Sequence, residues 1–231
     1  MSRVTLSKRL LSASKFVRQG AYFADIGTDH AYLPIFLLQE GRISRAVCAD
    51  INEGPLESAR RNAEGLGYAE KTEFYLTDGA EGLSDKGITD YAVCGMGGEL
   101  IADIIHRSPH LKNRGLRLIL QPMSRQGHLR RYLAENGFSV VGEDYSYDGG
   151  KYYLSLAAEY TGAPRPITDV EAELGLFAEA GALSSEARGY FSVKLSALKK
   201  SVNGKRLGGE DFSREEELMH AIDRLLNEKG V

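Results

Sequence analysis

The chain has 231 residues, of which 42% are hydrophobic and 26% are charged. This excludes a wholly disordered protein and allows one large domain, or one domain with an appendage. No apolar run approaches the roughly 18 residues of a membrane span, and the N-terminal residues lack the apolar stretch of a secretory signal. The net charge of −3 argues against a protein that coats nucleic acids indiscriminately.

Short apolar runs alternate with helical patterns after residue 20. The first twenty residues predict an amphipathic helix, with Leu6, Leu10, Ala13 and Val17 on one face. Strands are predicted at 22–24, 46–49, 74–76, 91–94 and 116–120. Helices are predicted over 33–38, 55–66, 100–105 and 125–136. Strands that alternate with helices indicate a parallel sheet covered on both faces.

The second half of the chain changes this pattern. Two strand-like runs at 138–147 and 151–160 flank Asp148-Gly149-Gly150, which is the composition of a tight hairpin turn. An antiparallel pair therefore closes the sheet and brings it to seven strands.

A linker at 162–166 precedes a helical region. We predict a short helix over 170–180 and then a helical hairpin, with one apolar stripe within 191–202, another within 218–226 and a loop over 203–211. The chain is thus divided into a Rossmann-like α/β domain at 1–162 and a helical extension at 163–231.

Basic residues concentrate in three segments that contain no acidic residue. Residues 1–20 hold five Lys or Arg, residues 104–134 hold seven and residues 188–206 hold six. Each block alone is also what a solvated surface shows. Three blocks in a nearly neutral chain favour a polyanion-binding face, and hence RNA or another phosphate-rich partner.

Residues at the ends of the predicted strands are the candidates for chemistry. In an open parallel sheet, ligands bind beyond the carboxyl ends of the strands, where the strand order reverses. Three of these ends hold an acid: Asp25, Asp50 and Asp78. Asp50 ends the second strand, where a carboxylate can accept hydrogen bonds from both ribose hydroxyls of a nucleoside. Asp78 is placed to accept from an adenine amino group.

The first turn argues against a pyrophosphate ligand. It has one glycine, Gly27, where a dinucleotide fingerprint needs three, and the carboxylates of Asp25 and Asp29 would repel phosphate. An adenosine with a cationic centre and no phosphate is S-adenosylmethionine. The alternative, that each acid only forms a turn or a cap, weakens when acids occur at three consecutive strand ends. We predict cofactor contacts at Asp25, Gly27, Thr28, Asp29, His30, Asp50, Ile51, Asn52, Asp78, Gly79, Gly95, Met96 and Gly97.

The glycines at 95–98 have two interpretations. Between a strand and a helix they could form a phosphate cradle, but they lack the Lys and Ser/Thr of a P-loop. We favour close approach of the backbone to the ligand, with Met96 as a flexible apolar lid.

Cysteine and histidine usage indicates neither disulfides nor a metal site. Cys48 and Cys94 lie in apolar runs and are interpreted as buried thiols of a reducing compartment, so we expect a cytoplasmic location. The five histidines lack the spacing of metal ligands. We expect no metal, no membrane association and no obligate protein partner.

Three runs of the sequence are distinctive together: 25–34 (DIGTDHAYLP), 49–56 (ADINEGPL) and 94–98 (CGMGG). They resemble the bacterial tRNA (adenine(22)-N1)-methyltransferase family over nearly the whole chain. The resemblance implies a class I methyltransferase fold, S-adenosylmethionine as methyl donor and N1 of an adenine in the D-arm region of tRNA as acceptor. It also implies a coiled-coil-like helical extension that helps to hold the tRNA.

Methyl transfer to N1 of adenine sets modest demands on the site. N1 has an available lone pair, so alignment and exclusion of water can supply most of the rate. Asp29 is predicted to stabilise the positive charge of the product, and His30 to transfer a proton or contact the base. Both residues could equally serve only the cofactor turn. Gln121 is predicted to contact the target base, or else to be a strand-end turn residue.

Four basic residues are predicted to meet RNA phosphates: Arg9, Lys15, Arg125 and Arg130. Two other functions stay open, a methyltransferase with a small-molecule acceptor and a non-catalytic RNA-binding adaptor with the same fold. The basic blocks argue against the first of these, and the strand-end acids argue against the second.

Overall fold

A seven-stranded sheet forms the centre of the computed structural model, which describes residues 3–178 and 183–228. The strands are β1 (Ala21–Ile26), β2 (Ile43–Asp50), β3 (Thr72–Leu76), β4 (Asp90–Gly97), β5 (Arg117–Ser124), β6 (Phe138–Asp148) and β7 (Lys151–Tyr160). Their order is β3-β2-β1-β4-β5-β7-β6. Pairing is parallel from β3 to β5, and β7 is antiparallel to both β5 and β6. The predicted sheet with its antiparallel closing pair is confirmed.

Helices cover both faces of this sheet. Those of the described residues are α1 (Lys8–Ser14), α2 (Tyr32–Gln39), α3 (Glu53–Gly65), α4 (Gly98–Arg107), α5 (Gln126–Glu135), α6 (Asp169–Leu174), α7 (Ser185–Gly208) and α8 (Ser213–Glu228). A 3-10 turn over Gly175–Ala178 follows α6. The predicted helix over 170–180 is therefore shorter, and its last two residues lie outside the described part of the chain.

The N-terminal helix is shorter than predicted. Ser7 is extended (φ −60, ψ 155), and α1 spans only Lys8–Ser14 instead of residues 1–20. Leu6 and Val17 are nevertheless buried with Ala13, because the extended segment before α1 and the turns after it pack on the same face of the sheet. Helical spacing of apolar residues thus arose here without a continuous helix.

The first helix of the C-terminal hairpin is longer than predicted. It continues through residues 203–204 to Gly208, so the predicted loop at 203–211 shrinks to four residues. Val202 is buried, and Lys205 forms a 2.6 Å ion pair with Glu215 of α8, which together hold the last turns against the partner helix. Gly209, at φ +71, then ends the helix.

Alternation along β1 explains the two-sided core. Tyr22, Ala24 and Ile26 pack on the side that holds α4, α5, α7 and α8, whereas Ala21 and Phe23 pack on the side of α1, α2 and α3. Buried side chains of the helical hairpin belong to the same core as the sheet: Ala187, Phe191 and Leu195 of α7, and Ala221, Ile222 and Leu225 of α8. The core therefore continues across the predicted domain boundary at 162, which falls in a segment without helix or strand. In the described part of the chain, no helix is long and apolar enough to cross a membrane.

Candidate functional site

A cleft of about 570 Å³ opens where the strand order reverses, at the carboxyl ends of β1 and β4. The pairing of these strands ends at Ile26 and Val93, and β1 and β4 diverge beyond that point. The residues lining the cleft are Thr5, Leu6, Ser7, Arg9, Leu10, Asp25, Gly27, Asp29, Tyr32, Leu33, Asp50, Cys94, Gly95 and Met96. The topology therefore brings together acids from the ends of β1 and β2 and glycines from the ends of β1 and β4.

Asp25 is the most buried of the acids that line this cleft. The residue is only 7% exposed. Its Oδ2 accepts a 2.8 Å hydrogen bond from Oγ1 of Thr28. Burial raises the pKa of Asp25 to about 7; the Thr28 hydrogen bond opposes the rise, and the charges of Asp50 and Asp29 add to it. A cationic ligand would stabilise the charged form of such a carboxylate strongly.

The turn after β1 is strained and contains Asp29 and His30, two of the predicted site residues. His30 and Ala31 have left-handed backbones with φ of 60 and 55, a conformation that costs non-glycine residues about 1–3 kcal/mol each. The Asn62 side-chain amide donates to the His30 carbonyl at 2.9 Å and so supports the turn. Nε2 of His30 lies 3.1 Å from Oδ1 of Asp29. Asp29 lines the cleft, whereas His30 is not among its lining residues.

Asp50 lines the cleft from the end of β2. Its Oδ1 accepts a 2.7 Å hydrogen bond from the backbone N–H of Asn52, the residue that precedes α3. Ile51 between them is 61% exposed. The carboxylate thus shapes the turn with one oxygen, and its second oxygen is available to a ligand.

Asp78 has a partner that the sequence did not suggest. Both its oxygens bind Arg107, at 3.0 and 3.2 Å, and the same guanidinium contacts Asp103 and Glu81. Neither Asp78 nor Gly79 lines the cleft. Adenine recognition by Asp78 therefore stays a prediction. It would require the carboxylate to accept a hydrogen bond from the ligand in addition to those from Arg107.

The glycines at the end of β4 and the start of α4 are required for different structural reasons. Gly95 has φ +78 and lines the cleft, whereas a Cβ on Gly98 would lie 2.5 Å from the backbone oxygen of Arg125. Met96 packs its methyl group beside Gly27, where a Cβ would be 2.1 Å from Cε. Gly98 thus allows two protein segments to approach closely, whereas approach of a ligand to the Gly95 backbone stays a prediction, and β4 itself extends to Gly97.

Arg9 and Gln121 do not lie where the sequence placed them. Arg9 is half-buried and lines the cleft instead of projecting from an exposed helix. Its Nη1 donates to Oε1 of Gln121 at 3.1 Å, and the same oxygen accepts the Gly95 N–H at 3.1 Å. Gln121 is fully buried. Its amide therefore binds protein groups and is not exposed for contact with a target base.

The prediction that Arg130 meets RNA phosphates is wrong. The side chains of Arg130 and Glu143 are 3% and 1% exposed and form a 2.6 Å ion pair. By contrast, the side chains of Lys15 and Arg125 are 61% and 69% exposed. They stay predicted RNA contacts.

Acids from distant segments neutralise much of the basic blocks. Their pairs include Lys15–Asp144, Arg18–Asp90, Arg107–Asp78, Arg117–Glu159, Arg131–Asp169 and Lys194–Glu173. Within the described residues, Lys8, Lys199 and Lys200 form no ion pair. Absence of an acid nearby in sequence therefore did not mean absence of one in space.

Sequence reasoning missed the wall of the cleft formed by the N-terminal segment and Tyr32. Thr5, Leu6, Ser7 and Leu10 line it, and a helix over residues 1–20 hid this role. Ser7, a residue type that favours helix N-caps, was the available signal that residues before it are extended. Tyr32 stacks on His30 with ring centroids 5.4 Å apart.

The lining fits a cationic nucleoside. Three carboxylates face the cleft, one of them nearly buried, and the backbone at Gly95 is bare. Across residues 3–178 and 183–228, no three His, Cys, Asp or Glu side chains are grouped to hold a metal ion.

Comparison with known proteins agrees with this geometry. Residues 6–156 match the family described as "Methyltransferase domain". The tRNA (adenine(22)-N(1))-methyltransferase of Bacillus subtilis (strain 168) is 35% identical over 159 residues, 69% of this chain and 67% of that protein. Protein Sp1610 of Streptococcus pneumoniae has a TM-score of 0.85 at 31% identity, covering 96% of this chain and 100% of its own.

The Sp1610 complex with S-adenosyl-L-methionine has a TM-score of 0.82 at 31% identity, again over 96% of this chain and 100% of that one. More than half of this chain matches the methyltransferase domain, and the match to the B. subtilis enzyme covers two thirds of both proteins. The chain therefore belongs to the tRNA (adenine(22)-N(1))-methyltransferase family.

Proposed function

We infer that this protein methylates N1 of adenine 22 in tRNA with S-adenosyl-L-methionine as the methyl donor. The 35% identity to the B. subtilis enzyme supports the reaction and the acceptor. The observation that supports the donor is the cleft itself, where Asp25, Asp29 and Asp50 meet the glycine backbone of β1 and β4.

The role of the cleft residues is to bind and orient the methyl donor. When bound, the donor supplies a sulfonium methyl group for an in-line displacement. Asp50 would accept from the ribose hydroxyls, and the nearly buried Asp25 would hold a cationic centre. Because N1 of adenine already has a free lone pair, no side chain must create the nucleophile, and alignment with exclusion of water supplies most of the rate. The target base must leave its stack to reach the cleft.

Asp29 is our candidate for stabilising the positive charge that adenine gains. Its side chain is 81% exposed at the cleft and contacts His30, which is 43% exposed. We propose His30, whose Nε2 contacts Asp29, as the residue that contacts the target base or receives a proton that the exocyclic amino group of the methylated adenine releases.

Surface cations outside the cleft would meet the tRNA. We propose that Lys15 and Arg125 contact phosphates and that the hairpin of α7 and α8 contributes Lys199 and Lys200. Affinity for tRNA would then fall as the salt concentration rises. Free thiols at Cys48 and Cys94 suit the reducing cytoplasm, where we propose that the enzyme works.

Methylation of an unmodified tRNA transcript tests the function directly. Incubation with labelled donor should label the tRNA, and primer extension should stop one nucleotide before position 22, because a methyl group on N1 blocks base pairing. A transcript with guanine at position 22 should remain unlabelled. Label at another nucleotide would contradict the acceptor, and label on small molecules alone would favour the small-molecule alternative.

Asp50→Ala tests the ribose contact. We expect affinity for S-adenosyl-L-methionine to fall about tenfold or more, since a hydrogen bond to a charged group contributes about 1.5–3 kcal/mol, while thermal unfolding stays cooperative. Asp50→Asn is the matched control because it keeps an acceptor for the Asn52 N–H. Unchanged affinity of the alanine variant in calorimetry would disprove the assignment.

A further inference from the structure

Two tyrosine rings pack together at the tip of the β6–β7 hairpin, outside the cleft. Tyr147 and Tyr152 are paired across the two strands, and their ring centroids are 4.7 Å apart. Tyr147 is 45% exposed, whereas Tyr152 is half-buried. The hairpin therefore presents one aromatic ring to the solvent with a second ring behind it.

A glycine of α7 fixes the inner ring. A Cβ on Gly189 would lie 2.3 Å from both Cζ and Oη of Tyr152, so this ring lies directly on the helix backbone. Glycine in a helix interior destabilises the helix relative to alanine, and here the space that it leaves is filled by the tyrosine. The layers are thus the α7 backbone, Tyr152, Tyr147 and the solvent, which gives the outer ring a rigid support.

The tip of the hairpin lies beside α1, whose Arg9 lines the cleft. Oδ2 of Asp148 accepts the Arg9 N–H at 3.4 Å, and the Ser155 hydroxyl donates to the Arg9 carbonyl at 3.5 Å. Two strands separate β4 from β6, and neighbouring strands are about 4.8 Å apart, so β6 lies about 14 Å from β4 across the sheet. A base on Tyr147 is therefore a different nucleotide from the adenine whose N1 enters the cleft.

Two lysines beside this tip are available to phosphates. Lys151 follows the hairpin turn and Lys8 begins α1. Both are exposed, and neither side chain forms an ion pair or a hydrogen bond within residues 3–178 and 183–228. The acids nearby already have partners within the protein: Asp144 with Lys15, Asp148 with the Arg9 N–H and Glu186 with Ser185. Unpaired cations next to an exposed ring fit a nucleic acid strand, in which every base is joined to a phosphate.

We propose that Tyr147 stacks on an unpaired base of the tRNA, that Tyr152 is the positioning residue that supports it, and that Lys8 and Lys151 contact the adjoining phosphates. When the target adenine leaves its stack for the cleft, a neighbouring base loses a stacking partner, and the Tyr147 ring replaces it. The proposal rests on the proposed function and adds a recognition surface to it. A protein partner is the competing occupant of this surface.

Binding of an unmodified tRNA transcript to Tyr147 variants tests the proposal. Tyr147→Leu should raise the dissociation constant for tRNA about fivefold to hundredfold, the usual effect of losing one aromatic stacking contact. Affinity for S-adenosyl-L-methionine should not change, because Tyr147 does not line the cleft. Tyr147→Phe keeps the stacking surface and should bind tRNA within about twofold of the wild-type protein. Val141→Ala is the matched control, since it truncates a side chain of similar exposure, 47%, on the same strand.

Transcripts with one abasic nucleotide each, at the positions around adenine 22, identify the stacked base. The penalty of Tyr147→Leu should persist with every transcript except the one that lacks this base, to which the variant and the wild-type protein should bind equally. Exchanging that base for another should restore most of the penalty, because stacking on an aromatic ring tolerates every base. Lys151→Met should instead reduce the salt dependence of tRNA affinity by about one phosphate contact, whereas Tyr147→Leu should leave it unchanged.

Three results would overturn the proposal. Wild-type affinity of Tyr147→Leu for tRNA would favour a protein as the occupant of this surface. A penalty that persists with every abasic transcript, or a loss in Tyr147→Phe as large as that in Tyr147→Leu, would exclude stacking on a base. Tyr147→Gln replaces the leucine variant if that variant does not unfold cooperatively. Failure of the wild-type protein to methylate the intact transcript would instead contradict the proposed function.

Discussion

Replacing Arg130 by methionine is expected to lower the free energy of unfolding by about 3–5 kcal/mol. The change would leave Glu143 charged in a site where its side chain is 1% exposed. It would also remove hydrogen bonds from Nη1 to the Ala172 carbonyl at 2.9 Å and from Nη2 to the Tyr145 hydroxyl at 3.2 Å. Since these groups lie on α5, α6 and β6, we expect loss of the contact between the sheet and the helices that follow it.

Urea-induced unfolding measures this effect. Arg125→Met provides the control on the neighbouring segment, because its guanidinium is 69% exposed and its removal should cost less than about 0.5 kcal/mol. The double variant Arg130→Met/Glu143→Leu should recover much of the stability, since no unpaired charge remains buried. A single Arg130 variant as stable as the wild-type protein would show that the pair does not hold these elements together.

Arg130 also explains why the RNA surface could not be predicted from charge alone. It lies in a segment without acids, yet its partner is 13 residues away on β6. A charge block describes neighbours along the chain, whereas burial depends on which strand the segment packs against. The same reasoning applies to Arg117, which binds Glu159 across the pair of β5 and β7.

Hydrophobic patterning was sufficient for the number of strands, the parallel sheet and its antiparallel closing pair, but it did not predict the order of the strands. Apolar runs separated by helical patterns predicted the parallel strands, and the Gly149-Gly150 turn predicted the closing hairpin. The positions at which the strands end were harder to predict from the sequence, because polar residues complete the strands. The prediction for β5 stopped at 120, whereas the strand continues to Ser124 by pairing Pro122 with Met96 and Ser124 with Gly97.

The cleft was predictable only where a residue type and a strand end coincide. Asp25, Asp29, Asp50, Gly95 and Met96 follow apolar runs, and the structure places all five on one cleft. The N-terminal residues that line the cleft have no such signal in the sequence. Residues 5–10 lie at the cleft because this segment packs on the sheet. Arg9 was therefore predicted as a basic residue of an exposed helix, and its position beside Gln121 required the fold.

Asp25→Asn is expected to stabilise the protein without ligand at neutral pH and to weaken its binding of the donor. Burial raises the pKa of Asp25 from 3.8 to about 7, so the folded protein keeps a proton that the unfolded chain releases. The free energy of unfolding therefore falls as the pH rises from about 4 to 7, by up to about 4 kcal/mol at about 1.4 kcal/mol per pKa unit. Asparagine does not titrate, so the variant lacks this decline.

The stability difference between Asp25→Asn and the wild-type protein should accordingly grow from pH 4 to pH 7 and then level off, as followed by urea-induced unfolding. Over the same interval the affinity of the wild-type protein for S-adenosyl-L-methionine should rise, because a cationic ligand prefers the charged carboxylate. The variant should bind about tenfold to hundredfold more weakly at pH 7.5.

Thr28→Val tests the titration of Asp25 without removing its carboxyl group. It keeps the carboxylate but removes the 2.8 Å hydrogen bond that lowers the pKa of Asp25, so the midpoint of both pH profiles should move upward. A stability difference between Asp25→Asn and the wild-type protein that stays constant from pH 4 to pH 7 would mean that the folded protein already has Asp25 charged at pH 4. The buried carboxylate would then be stabilised within the protein itself, and a cationic ligand would gain little from it.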